Sequence, residues 1–481
     1  MAYNPATPTA DIAHWVVNHA RDTGFTARAF QMAELSVIDT IACMFAGLVE
    51  PGPATLKSVV RTGPELSASV IGLGTGAGAY DAALINGTSA HMLDFDDGDM
   101  VSRGHPSCVI LPTVMAMAEE RRLSGRDLLD AFIVGWSVMQ TIGGMVNPYM
   151  PRRGYHVTSV VGVVAAAAAA SRLLRLNEAQ TAVAMGIAAS AGAGIRGNFG
   201  TDMKPYHAGC AAAAAVRATE LAEVGFTASS AILETHDGFV AVLADKAAVP
   251  EVRKQVDRLI SGDINLEKEP PIIKFLPICH ATHSSVEAAL KLRSKLPGGI
   301  GSIKSIVAEA GSHTAQYLIH SKPKTGLEAK FSMEGAIAIA LIDGEAGPNR
   351  FTDESVMRPE VQELLRKVTY RTHERYDDAR FSRMQPGAVT ITTQAGTMQE
   401  EVLDPIGGRV YPATIDQVCG KLHDGAAGIL DSSAVAAAIR SLKELRTLGD
   451  VSLLGHILRG SPRESSVASA HGFEVLTPVN V

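Results

Sequence analysis

The sequence is poor in cysteine and pairs none of what it has. The five residues Cys43, Cys108, Cys210, Cys279 and Cys419 are scattered, with no CxxC pair, which excludes a disulfide framework and fits reduced thiols in a cytoplasmic protein. Basic tails and stripes are absent too. Lys+Arg number 43 against 50 Asp+Glu, a net charge of −7, so a nucleic-acid partner is not expected. The longest apolar runs, 131–146 and 157–170, fall short of the ~18 residues that span a bilayer and carry Ser, Thr or Gln, so no membrane partner is expected. The first residues have neither a basic nor an apolar leader pattern. There is no HExxH, GxxxxGK[ST] or GxSxG, which speaks against zinc proteases, P-loop enzymes and serine hydrolases.

What is present is apolar and helix-prone. Hydrophobic residues make up 46% of 481 residues, charged residues 19% and aromatics only 5%. That is enough material for a large core, and the length suggests two or three domains. Alanine is about one residue in seven, a bias toward helices packed through small side chains. Helical periodicity with capping signals predicts helices over 27–46 (Thr26 as cap, Gly47 as stop), 81–91, 108–122, 124–140, 156–174, 178–190, 210–224 and 227–233. The pattern changes near Lys268-Glu269-Pro270-Pro271. Beyond it, period-two strands are predicted over 302–308, 367–372, 388–393 and 398–403, interleaved with helices over 280–296, 332–342 and 353–367. Helical patterns return over 414–422, 433–442 and 451–458, and a polar tail follows from Gly460. The expected fold is mainly α: a large all-helical domain (1–268 and 404–481) interrupted by a smaller α+β domain (269–403) before the C-terminal helices.

Several motifs could carry chemistry. Gly74-x-Gly76-x-x-Ala79 follows Ser69-Val70-Ile71 and has Asp94 some twenty residues on, as a dinucleotide fingerprint would, but no second strand completes a βαβ unit. A glycine-rich turn is the better reading. Asp94-Phe95-Asp96-Asp97, close to His91, Asp99 and His105, reads in three ways. It could ligate Mg²⁺, act as the DxDD proton donor of a terpene cyclase, or simply be a capped, solvated helix end. Few aromatics argue against the cyclase, whose carbocations need aromatic faces. Four cationic clusters stand at junctions between irregular chain and helix: His105-Pro106-Ser107, Arg152 to His156, Lys204 to Gly209, and Lys274 to His283. In an acidic chain they suit a substrate with several carboxylates.

Taken in order, these segments resemble the MmgE/PrpD family. The resemblance rests on Ala82-Ala83-Leu84-Ile85-Asn86-Gly87, His91-Met92-Leu93-Asp94-Phe95-Asp96-Asp97, His105-Pro106-Ser107, Lys204 to Gly209, Gly225-Phe226-Thr227, Lys274 to Pro277 with Cys279 to His283, and Glu328-Ala329-Lys330-Phe331-Ser332. The family includes 2-methylcitrate dehydratase, cis-aconitate decarboxylase and iminodisuccinate epimerase. The resemblance implies a helical domain with an α+β lid, a homodimer, a site in the cleft between domains, and chemistry that needs no metal or organic cofactor. It also implies site positions. Asp94, His105, His156, Lys204, Lys274 and Tyr317 match the assigned residues of the decarboxylases, and Arg103 and His283 are added as substrate contacts. Gly98 stands where a threonine usually follows the acidic run, and Cys279 where the animal decarboxylases carry histidine; both departures weigh against cis-aconitate as the substrate. The expected activity is dehydration of a 2-methylcitrate-like polycarboxylic acid, with epimerisation of a substituted dicarboxylate and then decarboxylation as alternatives. A terpene cyclase and a non-catalytic binder of small acids are the rivals from other classes.

Overall fold

Helix starts in the N-terminal half are set by side chains that satisfy the first free N–H groups. In the computed structural model, which describes residues 7–21, 23–147 and 149–461, Thr26 accepts from the Ala29 N–H and opens helix Ala27–Ala46. Ser124 does the same for Gly125–Val146 through the Asp127 N–H, and Asn177 with Gln180 forms a reciprocal capping box on Glu178–Ala191. Around these run Ala79–His91, Ser107–Arg121, Val157–Leu173 and Met203–Glu223. The protein is mainly α, with small sheets.

One continuous apolar core joins side chains from Ile12 to Ile273 and takes in Val418 to Leu458 from the end of the chain. A second, separate core gathers Ile278 to Val402. That second region holds a four-stranded sheet in the order Val368–Thr372, Ile303–Ala310, Gly387–Thr393, Gly396–Val402. The first pair is parallel (Ile306 opposite Val368) and the other two are antiparallel (Val307 opposite Thr390, Thr390 opposite Gln399). Helices His283–Arg293 and Met333–Asp343 pack against it.

Several elements differ from the sequence expectation. The helix expected from 210 begins at Met203; Pro205 is tolerated because first-turn N–H groups have no intrahelical acceptor. The helix expected over 227–233 does not form. Its backbone is drawn into tertiary bonds instead, the Leu233 N–H donating to Thr9 Oγ1 at 3.2 Å and the Ile232 carbonyl accepting from the Phe239 N–H at 2.8 Å. The helix expected over 353–367 breaks at Arg358-Pro359 into Asp353–Met357 and Pro359–Leu365, because the residue before proline is pushed out of the helical region. His280–Thr282 is a 3₁₀ turn ahead of His283–Arg293. Helices Pro8–Asn18 and Val249–Ile260 and a small three-stranded sheet have no counterpart in the sequence expectation. In that sheet Ala68–Val70 pairs antiparallel with Thr75–Ala77, so Gly74 and Gly76 serve a hairpin and not a dinucleotide. The tail expected to be irregular lies, from 462 onward, outside the described residues.

Among the described residues, two helices are long and apolar enough to cross a bilayer, Ala27–Val49 and Gly125–Val146, contrary to the shorter runs read from sequence. In these, 72% and 89% of the apolar window is buried inside the protein, so the apolarity is consumed by the core.

The helix crossing that positions the site lies between Ala79–His91 and Met203–Glu223. A side chain at Gly209 would meet Thr88 Oγ1 at 2.2 Å and the Leu84 carbonyl at 2.3 Å, and one at Gly87 would meet Gly209 Cα at 3.0 Å. The two backbones are therefore in direct contact, which holds His91 at the end of one helix against Lys204 at the start of the other. Gly209→Ala should cost about 1–3 kcal/mol through overpacking, read as a lower midpoint in denaturant unfolding; an unchanged midpoint would contradict this close crossing.

Candidate active site

The acidic run is not a solvated helix end. Asp94, Asp96, Asp97 and Asp99 are 4%, 0%, 0% and 3% exposed. Helix Ala79–His91 stops just before them, and the loop that follows places two non-glycine residues, Asp94 (φ +53°) and Arg103 (φ +56°), in the left-handed region. Such strain persists only where surrounding contacts fix it. Here they do. Gly98 and Ile272 exchange both backbone hydrogen bonds at 2.9 Å, tying the acidic loop to the segment that carries Lys274.

Asp94 is the hub. Its Oδ1 accepts from Lys204 Nζ at 2.5 Å, and its Oδ2 and carbonyl accept from Lys274 Nζ at 2.9 and 2.8 Å. Burial alone would raise its pKa, but the two ammoniums outweigh it and hold the carboxyl well below its usual range. Lys204 also donates to His91 Nε2 at 2.8 Å, while His91 Nδ1 lies 2.8 Å from Asp96 Oδ2. A lysine ammonium can only donate, so His91 is neutral with its hydrogen on Nδ1. Each ammonium thus spends two hydrogens within the network and keeps one.

His105 stands beside this hub. Its Nδ1 is 2.8 Å from the Asp97 carbonyl, which can only accept, so the hydrogen is on Nδ1 and Nε2 presents a lone pair, 3.6 Å from Asp94 Oδ1. Burial lowers its pKa to about 3, Asp96 pulling up and Lys274 pushing down. His156, the residue before Val157–Leu173, stacks on His91 at 5.5 Å. Its Nδ1 is buried without a partner among the described residues, and burial followed by the Lys204 charge keeps its pKa well below the usual value.

These groups open into a cavity of about 480 Å³, walled on one side by the helical region and on the other by His280, His313, Gln316, Tyr317 and Gln385 from the α+β region. This size lies within the range of small-molecule sites. Arg103 and Arg152 are exposed at the cavity, and Arg196 lies over the Tyr317 ring at 5.1 Å. Burial raises the pKa of the Tyr317 phenol and lifts that of the Cys279 thiol to about 11, so both keep their protons at neutral pH. Asp94, Arg103, His105, His156, Lys204, Lys274 and Tyr317 therefore meet at one cavity. His283 does not reach it: its ring nitrogen Nε2 turns to the Ile278 carbonyl at 3.1 Å. His280 faces the cavity in its place, its Nε2 unpartnered among the described residues and its pKa lowered to about 3 by burial and Lys274. The sequence offers no signal to choose between the two histidines, because the choice depends on the 3₁₀ turn. Lys330 is a further site neighbour that the sequence reading does not single out. It is buried, its Nζ has no partner among the described residues, and its pKa is lowered to about 8 by burial, with Glu50 and then Asp94 pulling up and Lys204 and Lys274 pushing down.

His91, Asp94, Asp96 and His105 bring possible metal-ligand atoms within 4.8 Å of one another. The donor set fits a cation poorly. Both Asp94 oxygens already hold ammoniums, and His91 is fixed between Asp96 and Lys204, so an ion would have to displace two charged lysines.

The MmgE/PrpD N-terminal domain matches residues 10–251, and the MmgE/PrpD C-terminal domain matches residues 276–446. Cis-aconitate decarboxylase of Mus musculus is 31% identical over 413 residues, covering 82% of each chain. That of Aspergillus terreus (strain NIH 2624 / FGSC A1156) is 25% identical over 469 residues, 94% of this chain and 95% of the relative. The mitochondrial 2-methylcitrate dehydratase of Yarrowia lipolytica is 25% identical over 436 residues, 83% of this chain and 79% of the relative. With an N- and a C-terminal domain matched across most of its length, and enzymes among its relatives, the chain belongs to the MmgE/PrpD family.

Proposed function

We propose that the protein is a lyase that dehydrates a small hydroxy polycarboxylic acid of the 2-methylcitrate kind, using no metal or organic cofactor. The observation that carries this reading is the Asp94 carboxylate held between two lysine ammoniums, with the bare Nε2 of a neutral His105 turned to the same place. Removing a proton beside a carboxylate is hard because the carboxylate must accept a second negative charge. The unspent N–H groups of Lys204 and Lys274 meet substrate carboxylates and stabilise that growing charge, the largest single contribution such a site can make. His105 Nε2 takes the carbon-bound proton, and Asp94 and Asp96 then face the imidazolium. Tyr317 gives its proton to the departing hydroxyl, which leaves as water, and the double bond forms between the two carbons.

The resting pKa of His105 suits a weak base, and binding changes it. Burial, and after it the Lys274 charge, holds the imidazole down; a polycarboxylate brings negative charge beside Lys274, which raises His105 in the complex. A site with an open base favours proton abstraction. The decarboxylases among the relatives favour a second reading, in which loss of CO₂ from an unsaturated tricarboxylate leaves the same charge for the lysines to hold, and a thiol or phenol then returns a proton.

Proton NMR in D₂O with EDTA, on a panel of 2-methylcitrate, citrate, cis-aconitate and racemic substituted succinates, separates these outcomes. Dehydration gives a vinyl proton or a methyl group on a double bond, decarboxylation gives a new methylene, and deuterium uptake without net product marks an epimerase. No change in any acid would contradict the proposal.

Two further outcomes are expected of the active protein. Lys274→Ala leaves Asp94 paired with Lys204, so it should stay folded while kcat falls about 10²–10³-fold, as for loss of one charge-stabilising donor. Near-full activity would remove Lys274 from the mechanism. Because the base must be unprotonated, activity is lost as pH falls through its pKa. The acid limb of kcat/KM, once the substrate's own carboxyl ionisations are divided out, reports the free enzyme and should therefore lie well below pH 6.5, near the pKa of about 3 for free His105, and the limb of kcat at higher pH. A kcat/KM limb at the ordinary histidine value contradicts the assignment of His105.

A further inference from the structure

Lys421 lies on helix Ile415–Ala426 near the end of the chain, well away from the segments that supply the site in sequence. It is 7% exposed and does not line the cavity. Its Nζ donates to Asp39 Oδ1 at 2.7 Å, to the Phe95 carbonyl at 2.8 Å and to the Lys274 carbonyl at 2.9 Å, and it sits 3.6 Å from the centre of the Phe95 ring. An ammonium has three hydrogens, so this one has none left for a ligand, unlike Lys204 and Lys274. Two of its three bonds go to backbone carbonyls at the heart of the site: that of the residue after Asp94, and that of Lys274 itself.

We propose that Lys421 is a positioning residue that sets the distance between Asp94 and Lys274 by holding the two backbones on one ammonium, with Asp39 as its counter-ion. The inference rests on the proposed role of Asp94 and Lys274 in binding a polycarboxylate. The Gly98–Ile272 bridge joins the same two segments but acts two to four residues from the functional side chains. Lys421 acts on Lys274 itself and on the neighbour of Asp94, where the strained φ of Asp94 must be held. Asp39 fits the part of counter-ion, its Oδ1 taking the Lys421 ammonium while its Oδ2 accepts from the Cys43 thiol at 3.9 Å. It is fully buried on helix Ala27–Ala46, and burial raises its pKa to about 6 against the pull of Lys421. It too is absent from the cavity wall.

Lys421→Met alone would leave Asp39 buried without its partner and could fail for that reason. The test is therefore the pair Lys421→Met and Asp39→Asn combined, which removes both charges, compared with the wild type. Three quantities are read: the thermal midpoint, kcat with the dissociation constant of tricarballylate (an unreactive tricarboxylic acid), and reductive methylation of Lys274 followed by mass spectrometry. A double variant that melts close to the wild type, loses about 100-fold in kcat through misplacement of the reacting groups, binds tricarballylate about tenfold more weakly, and methylates Lys274 faster supports the proposal. A well-folded double variant with wild-type kcat and tricarballylate binding, or with Lys274 as protected as before, overturns it. If the wild type itself neither turns over nor binds any of the acids, the proposed function fails. The methylation of Lys274 then still decides whether Lys421 positions it.

Discussion

The rest of the site depends on one buried carboxylate shared by two buried ammoniums. Burial at 4% exposure works against a charge on Asp94, and the two ammoniums outweigh it. The second negative charge is supplied by Asp96, one imidazole away through His91. The resting cluster is thus close to neutral, yet both lysines line the cavity with one hydrogen unspent, and a bare imidazole nitrogen stands next to them. Under the proposed function, that is a preorganised surface for an anion whose charge increases during reaction. The cost of arranging it is met in folding, before any substrate arrives.

The chain supplies this arrangement from three distant places, and each is fixed by a different physical device. Lys204 is set by a helix crossing so close that only glycine fits at 209. Asp94 is set by a loop with left-handed residues that is bridged through Gly98 to Ile272. Lys274 is set by that bridge and by helix Ile415–Ala426 through Lys421. The α+β region contributes the opposite wall, with Tyr317 and His280, and has a hydrophobic core of its own. The cavity therefore lies where two separately packed bodies meet, a common place for a ligand site.

Much of this is legible in the sequence where local rules decide. Start signals at Thr26 and Ser124 place helices to within a residue or two, and alternation locates each strand of the four-stranded sheet. Most of the site positions come from the family resemblance, and seven of the eight meet at one cavity. What escapes the sequence depends on tertiary contacts. The segment 227–233 has helical propensity but gives its backbone to Thr9 and Phe239. The choice of His280 over His283 rests on one 3₁₀ turn. The acidic run looks solvated because nothing in its composition reports that two lysines, more than a hundred residues downstream, are buried with it. Lys421 gives no signal at all, since two of its three partners are carbonyls that any residue would offer and the third, Asp39, lies nearly four hundred residues away.

The central claim is that the Asp94 cluster is a seat for a substrate carboxylate with His105 as base. A crystal structure with tricarballylate bound tests it most directly. The account predicts a carboxylate oxygen within hydrogen-bond distance of Lys274 Nζ or Lys204 Nζ, and a methylene carbon of the ligand next to His105 Nε2. A ligand held elsewhere in the cavity, with His105 Nε2 facing no carbon-bound hydrogen, would contradict it.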